Sequence, residues 1–138
     1  MLKQLLLAAP AIVVVVVVSV TSTAQVTKGK TRLATTSQIM RGFVRPNHTN
    51  LHQGTEKLPT NKKEWQALAT NAALLNEASY LLMDDDRCPD DDWASAAMTL
   101  RRGSAAAVRS IKVKDTKSMA AAFRMITHSC ASCHDMHK

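Results

Sequence analysis

Three residues near the end of the chain have types and a spacing that could hold a metal macrocycle. Cys130, Cys133 and His134 form the pattern Cys-x-x-Cys-His, which is typical of covalent haem c attachment. Two thiols can add to the two vinyl groups on one edge of a haem, and the adjoining imidazole can bind its iron. Positions i, i+3 and i+4 of a helix share one face. The sequence therefore predicts haem attachment at Cys130 and Cys133, with His134 as the proximal iron ligand.

Two other chemistries use a Cys-x-x-Cys pair. A redox dithiol usually opens a helix that follows a strand, where the helix dipole lowers the pKa of the first thiol, but nothing strand-like precedes Cys130. A zinc site would need two further ligands. The third cysteine, Cys88, stands alone, and His128 and His137 fit no usual zinc pattern. Haem is therefore favoured over both alternatives.

Residues 1–24 have the pattern of an export signal. Lys3 supplies the positive region, an apolar run extends from Leu5 to Val18, and small residues precede a cleavage point after residue 24. The apolar run is short for a spanning helix, and an uncleaved anchor that would attach the protein to a membrane is the alternative. Because haem c is attached outside the bacterial cytoplasm, the signal and the attachment motif agree. We predict a periplasmic protein whose single domain comprises residues 25–138.

The composition fits a helical domain filled by a cofactor. The 138-residue chain carries a net charge of +7, and it holds only two Trp, two Phe and one Tyr. Few aromatic side chains leave little bulk for a core, which a buried haem would supply. The basic residues are scattered and form no recognised nucleic-acid-binding module, so nucleic acid is not expected as a partner. The excess positive charge instead predicts docking to an acidic redox partner.

Hydrophobic periodicity predicts four helices and no strand. The predicted segments are Leu33–Gln53, Asn61–Met83, Asp92–Val113 and Thr116–His137. Pro46 predicts a kink near Arg45, or a division of the first segment into two short helices, and Gly54 is expected to close that segment. Four helices of about 20 residues with short connections indicate an all-α fold, an antiparallel four-helix bundle. Both motif cysteines fall on the apolar stripe of the last segment, so the haem c is expected between helices.

The connection 84–92 holds six of the eleven acidic residues. A calcium-binding loop would need alternating ligands and a central glycine, which this stretch lacks. A solvated turn whose last aspartates cap the next helix is favoured. Cys88, within this turn, is left as a free thiol or as a link between two chains.

The attachment motif at the C-terminus, on the fourth helix of a bundle and behind an export signal, resembles the cytochrome c-prime family. Members end in Cys-x-x-Cys-His, two residues, an aromatic residue, and Arg or Lys. Here Lys138 fits the basic position, whereas His137 replaces the aromatic residue. Trp93, at the start of the third helix, also resembles the family pattern. The resemblance implies one covalent haem with His134 on its iron.

The family has two branches, which differ in the number of ligands on the haem iron. In one branch the iron is five-coordinate; in the other a Met of the first helix is the sixth ligand and the protein carries electrons. The stretch Thr36–Arg41 resembles the first helix of the Met-ligated branch, which maps the sixth ligand onto Met40. His48 is the runner-up, an open distal face is the third possibility, and Met40 as core filler is the alternative interpretation. The other histidines are expected on the proximal side of the haem or at the surface (His128, His137 and His52).

We therefore expect an exported monohaem c-type cytochrome that carries single electrons and is not an enzyme. The alternative from another class is a gas-binding protein for NO or CO with five-coordinate iron, and a third is a helical metal or thiol protein without haem. The family resemblance also allows a homodimer formed through the first two helices.

Overall fold

The computed structural model describes residues 29–137, so the predicted export signal lies outside the described residues. Within 29–137 four helices pack together and no strand is present, which confirms the all-α class. The first helix consists of α1, a π-helical segment and α2, which follow one another without a break. The elements are α1 Thr36–Ile39, the π-helical segment Met40–Val44, α2 Arg45–Glu56, α3 Lys62–Leu81, α4 Asp91–Lys112 and α5 Thr116–Met136. None of the described helices combines the length and the apolar character that crossing a bilayer requires.

Of the two outcomes predicted for Pro46, the division into two short helices is wrong, because the helix continues through the proline. The backbone N–H of Arg45 bonds to the carbonyl of Met40, five residues earlier, and Pro46 is the second residue of α2. In the interior of a helix the missing N–H of proline removes a backbone hydrogen bond. The π-helical segment absorbs the disturbance, and segments of this kind inside α-helices are frequent at functional sites.

Both ends of the first helix differ from the prediction. The helix begins directly after Thr35, which forms a capping box with Gln38, and not at Leu33. Gly54 does not end the helix, which continues for two more residues. A side chain at position 54 would collide with Leu68 of α3, so this glycine permits a close approach of two helices.

The predicted starts of the three later helices agree with the structure. Asn61, Asp90 and Asp115 each accept a hydrogen bond of 2.9–3.0 Å from the backbone N–H three residues further on. Each bond satisfies one of the N–H groups that the start of a helix leaves unpaired. The predicted bounds of these helices lie within two residues of the observed ones.

Small and aliphatic side chains form the core. A Cβ at Gly103 of α4 would lie 3.1 Å from Cγ1 of Ile126 in α5, so Gly103 marks close packing and not a break in α4. At the other end of α4, the indole N–H of Trp93 donates to the carbonyl of Leu82 at 2.7 Å. The central buried residues are Leu51, Leu68, Ala72, Leu75, Ala78, Leu100, Ala107, Ile111, Met119 and Ile126.

The acidic turn between α3 and α4 is more than the solvated turn that was predicted. The Asp85 carboxylate, 6% exposed, accepts hydrogen bonds from the N–H and hydroxyl of Thr31 and from the N–H of Arg32, at 2.7–2.9 Å. Arg87 is buried, lies 3.6 Å from Asp85 and donates to the carbonyl of Ala34 at 3.0 Å. This Asp85–Arg87 clamp fastens the segment before the first helix to the turn. It supplies hydrogen-bond partners for backbone groups of that segment, which lie outside any helix.

Candidate haem site

The last turns of α5 bring the three motif residues to one surface. Cys130, Cys133 and His134 line a single cleft between α5, α4 and the first helix. Both cysteines are half-buried, and His134 is exposed. The helix therefore presents two thiols and one imidazole to the same space, as the spacing predicted.

The first helix contributes Met40 and Val44 to the same cleft. These two residues begin and end the π-helical segment, whose wider turn sets the direction of both side chains. The remaining wall is almost entirely apolar and consists of Leu82, Trp93, Ala96, Ala97, Leu100 and Ser129. A thioether and the Cys-x-x-Cys-His motif thus border one apolar space from two different helices.

The cleft is narrow. It encloses about 50 Å³, which is room for a few water molecules and far too little for a porphyrin. A haem would therefore fit only if the walls moved apart. The seam between α5 and the first helix is weaker than the one between α5 and α4, because these helices touch far less extensively.

Burial keeps both motif thiols protonated near neutral pH. It raises the pKa of Cys130, and burial, together with the neighbouring Cys130 and Asp90, raises the pKa of Cys133 to about 11. A redox-active dithiol depends on a thiolate stabilised by its surroundings, and these surroundings do the opposite. An apolar wall suits a thioether sulfur, which carries no charge.

The remaining cysteine and one histidine lie apart from the cleft. Cys88 is in the acidic turn, where its thiol donates to the carbonyl of Asp90 at 3.4 Å. His128 borders a different groove, together with Asp92 and Asp135. Among residues 29–137 no three His, Cys, Asp or Glu side chains converge as metal ligands would.

His48, the runner-up for the sixth ligand, does not line the cleft. Its ring centre lies 5.1 Å from that of Phe123, and His52 stacks on Phe123 at 5.2 Å with an interplanar angle of 4°. Burial, followed by the charge of His52, lowers the pKa of His48, so its imidazole is neutral at pH 7. A neutral imidazole could bind a metal, but His48 lies outside the cleft that Met40 lines. The positions of the two residues therefore favour Met40 as the sixth ligand. His52, expected at the surface, is exposed and also packs on Phe123.

His137 packs as an aromatic ring. It is buried beside Trp93, with ring centres 5.3 Å apart and the planes at 78°, and its Nε2 lies 3.3 Å from the carboxylate of Asp90. The ring of His137 therefore borders Cys133 and His134 at the edge of the cleft.

Arg41 is the arginine of the first helix that borders the site, next to Met40, Cys133 and His134. Arg32 instead binds the carboxylate of Asp84 at 3.0 Å. The sequence patterns did not identify the apolar wall as the lining of a cleft. Periodicity indicates that a residue is buried, but not which cavity it lines.

Comparison of the chain with protein-family models, with curated proteins and with solved structures finds no match. The resemblance to the cytochrome c-prime family therefore rests on the residues of this chain.

Proposed function

We propose that this protein is an exported, periplasmic monohaem c-type cytochrome of the cytochrome c-prime type that carries single electrons. In this proposal Cys130 and Cys133 hold the haem covalently, His134 binds the iron, and Met40 is the sixth ligand. The observation that carries the proposal is that these four residues line one apolar cleft. Export by residues 1–24 is part of the proposal.

We further propose that the four helices form an antiparallel bundle. Asn76 in α3 donates to the carbonyl of Arg101 in α4 at 2.8 Å, while Trp93, earlier in α4, bonds to Leu82 after the end of α3. Trp93 also contacts His137 at the end of α5. Later residues of one helix thus meet earlier residues of the next, which supports alternating directions.

Each motif residue has one chemical task. If a haem is bound, the Sγ atoms of Cys130 and Cys133 would each bond to one of its vinyl groups, and each thiol proton would pass to the other carbon of that group. The imidazole of His134 would hold the iron through a ring nitrogen. The haem, when bound, supplies the change between ferric and ferrous iron, and a Met/His ligand pair raises its reduction potential.

The surroundings support electron transfer more than substrate chemistry. The apolar wall would exclude water and so favour a stable potential. Arg41 stands where its guanidinium could pair with a haem propionate. A cytochrome needs no proton-transfer residue at the iron, because the electron enters and leaves through the macrocycle.

The first experiment asks whether haem is attached. The chain is produced in a bacterium that matures c-type cytochromes, and the exported protein is denatured, stained for haem on a gel and weighed by mass spectrometry. Wild type should carry one haem, and the double variant Cys130→Ser/Cys133→Ser should carry none. Cys88→Ser, which changes the cysteine outside the cleft, should keep full haem content. Bare polypeptide in the wild type would refute the proposal.

The second experiment identifies the sixth ligand. Met40→Ala should convert a low-spin ferric spectrum into a high-spin one and let the reduced protein bind CO readily. Met98→Ala, which alters an exposed methionine of α4, and His48→Ala should leave the wild-type spectrum unchanged. If wild-type iron is already high-spin and binds CO, the gas-binding alternative with five-coordinate iron replaces electron transfer.

A further inference from the structure

The charges at the two ends of the bundle are paired differently. In the part of the chain that the structure describes, every ion pair of a Lys or Arg lies at the acidic turn between α3 and α4. These pairs are Lys30–Asp86, Arg32–Asp84 and Arg87–Asp85. Trp93, Cys133 and His134 stand at this same end, which we call the cleft end.

The other end carries exposed basic residues on the α2–α3 connection, the α4–α5 turn and the adjoining helix turns. We call it the lysine-rich end; its basic residues are Lys57, Lys62, Lys63, Arg109, Lys112, Lys114 and Lys117. The Nζ of Lys114 lies 5.9 Å from the centre of the Trp65 ring, so the α4–α5 turn lies beside the first turn of α3. None of these seven residues forms an ion pair with another described residue.

The carboxylates at the lysine-rich end are engaged in other contacts. Glu64 accepts a hydrogen bond from the N–H of Thr60 at 2.7 Å, and Asp115 accepts one from the N–H of Ser118 at 3.0 Å. Both therefore serve the starts of their helices, and Glu56 lies 3.6 Å from His52. Three carboxylates against seven basic side chains leave this end with a net charge of +4.

Two aliphatic side chains stand in solvent among these lysines. Leu58 is 46% exposed and follows Lys57, and Val113 is 74% exposed and precedes Lys114. Each connection thus presents one aliphatic residue next to one lysine. An anionic bilayer offers both partners for such a pair, since its headgroups attract lysine and its acyl boundary accepts aliphatic groups.

We propose that the lysine-rich end binds an anionic phospholipid surface, with Leu58 and Val113 entering the headgroup region. The position of this end favours a membrane over a redox protein. The 20 residues of α3 span about 30 Å between this end and the cleft end, too far for direct electron exchange with Cys133 or His134. A bilayer bound there would leave the cleft end free for a soluble partner. The preference for a membrane over a redox protein rests on the proposed haem site, whereas vesicle binding itself is measured without reference to haem.

The backbone at Lys114 adds a second observation. Lys114 has a φ of 56°, a conformation that favours glycine, and it holds the position after α4 where glycine is commonest. Its N–H bonds to the carbonyl of Ile111, and the N–H of Asp115 bonds to that of Ser110. A lysine kept at a strained position points to a use for its side chain, and the lipid surface provides one.

The test is sedimentation of the exported chain, its mass checked for loss of residues 1–24, with two kinds of vesicle. Vesicles of phosphatidylcholine mixed with phosphatidylglycerol should bind the protein, and binding should fall as salt rises. Pure phosphatidylcholine vesicles should not. Lys63→Glu/Lys114→Glu should weaken binding by at least about 25-fold, since each lysine near an anionic surface contributes about five-fold.

The matched control reverses two exposed arginines in the middle of α4 and α5, Arg102→Glu/Arg124→Glu. The control alters net charge equally and should weaken binding only a few-fold. Leu58→Ser/Val113→Ser, which keeps every charge, should weaken binding as well. Equal losses in both charge-reversal variants, or no binding of the wild type, would overturn the proposal. Binding to polyglutamate without binding to vesicles would assign this end to an acidic protein instead.

Discussion

Each of the two turns that flank α4 contains a residue in the left-handed backbone conformation, but the side chains of these two residues make different contacts. Asp85 in the α3–α4 turn has a φ of 63°, and Lys114 in the α4–α5 turn has a φ of 56°. The Asp85 carboxylate accepts three hydrogen bonds from the segment before the first helix. Lys114 forms no ion pair with a described residue and lies 5.9 Å from the Trp65 ring. Contacts with the segment before the first helix compensate the strain at Asp85, whereas Lys114 leaves its charge available.

The difference suggests what each end must do. At the cleft end, the Asp85–Arg87 clamp holds the residues that lead into Thr35, the cap of the first helix, and five residues later the chain reaches Met40. Holding this segment in place therefore also positions the start of the helix that carries Met40, the proposed iron ligand. Within residues 29–137 the lysine-rich end has no comparable network, which suits a surface whose partner is fluid.

The largest expected effect comes from removing the buried charge at the cleft end. Arg87→Met keeps an unbranched side chain but leaves the Asp85 carboxylate without its guanidinium and the carbonyl of Ala34 without its donor. Breaking a buried pair typically costs about 3 kcal/mol of unfolding free energy, measured here by urea denaturation. Trypsin should also cut faster after Arg32, because the segment before the first helix loses its anchor.

Two outcomes would contradict the proposed role of the Asp85–Arg87 clamp at the cleft end. Arg102→Met removes an exposed arginine from the same helix bundle and should change the free energy of unfolding by no more than about 0.5 kcal/mol. If Arg87→Met behaves like this control, the clamp does not hold the cleft end. If Arg87→Met destabilises without faster cleavage after Arg32, the pair stabilises the turn alone.

The contrast between the ends also marks the limit of what could be predicted from sequence. Caps such as Asn61 and Asp115 are local, so residue types within four positions were enough to place three helix starts. The spacing of Cys130 and Cys133 likewise predicted a shared face. The clamp could not be predicted, because it joins Asp85 to Thr31 across 54 positions. Only tertiary packing brings such residues together.

The π-helical segment was missed for another reason. Pro46 signalled a disturbance, but the same signal is compatible with a kink, a break or a π-bulge. The narrow cleft was also beyond prediction. Hydrophobic periodicity indicates which face of a helix is buried, whereas the cleft depends on how α4 and α5 pack, which Gly103 permits.

Acid should weaken the cleft end, with a smaller effect than loss of Arg87. Burial favours a higher pKa for Asp85, but hydrogen bonds from Thr31 and Arg32 and the charge of Arg87 outweigh it and lower the pKa from 3.8 to about 2. Because the folded pKa is below the unfolded one, this stabilisation is fully present above about pH 4 and is lost as the pH falls through about 2. Thermal unfolding measured between about pH 5 and about pH 2 shows the loss.

The Asp85→Asn variant tests that assignment. Its stability should start lower at neutral pH and fall less steeply between about pH 4 and about pH 2, because the titrating group is gone. Asp86→Asn, which alters a largely exposed neighbour, should retain the wild-type pH dependence. A wild-type slope in Asp85→Asn would place the acid sensitivity elsewhere in the turn.

The smallest expected effect is a gain of stability at the lysine-rich end. Lys114→Gly removes the steric cost of a left-handed conformation and should raise the free energy of unfolding by about 1 kcal/mol. Asp85→Gly relieves the same backbone cost but loses three hydrogen bonds, so it should destabilise. If the lysine-rich end binds anionic lipid, Lys114→Gly should be more stable than wild type and bind phosphatidylglycerol vesicles more weakly. A more stable variant with unchanged binding would leave the strain at Lys114 without a function, since stability alone favours glycine there.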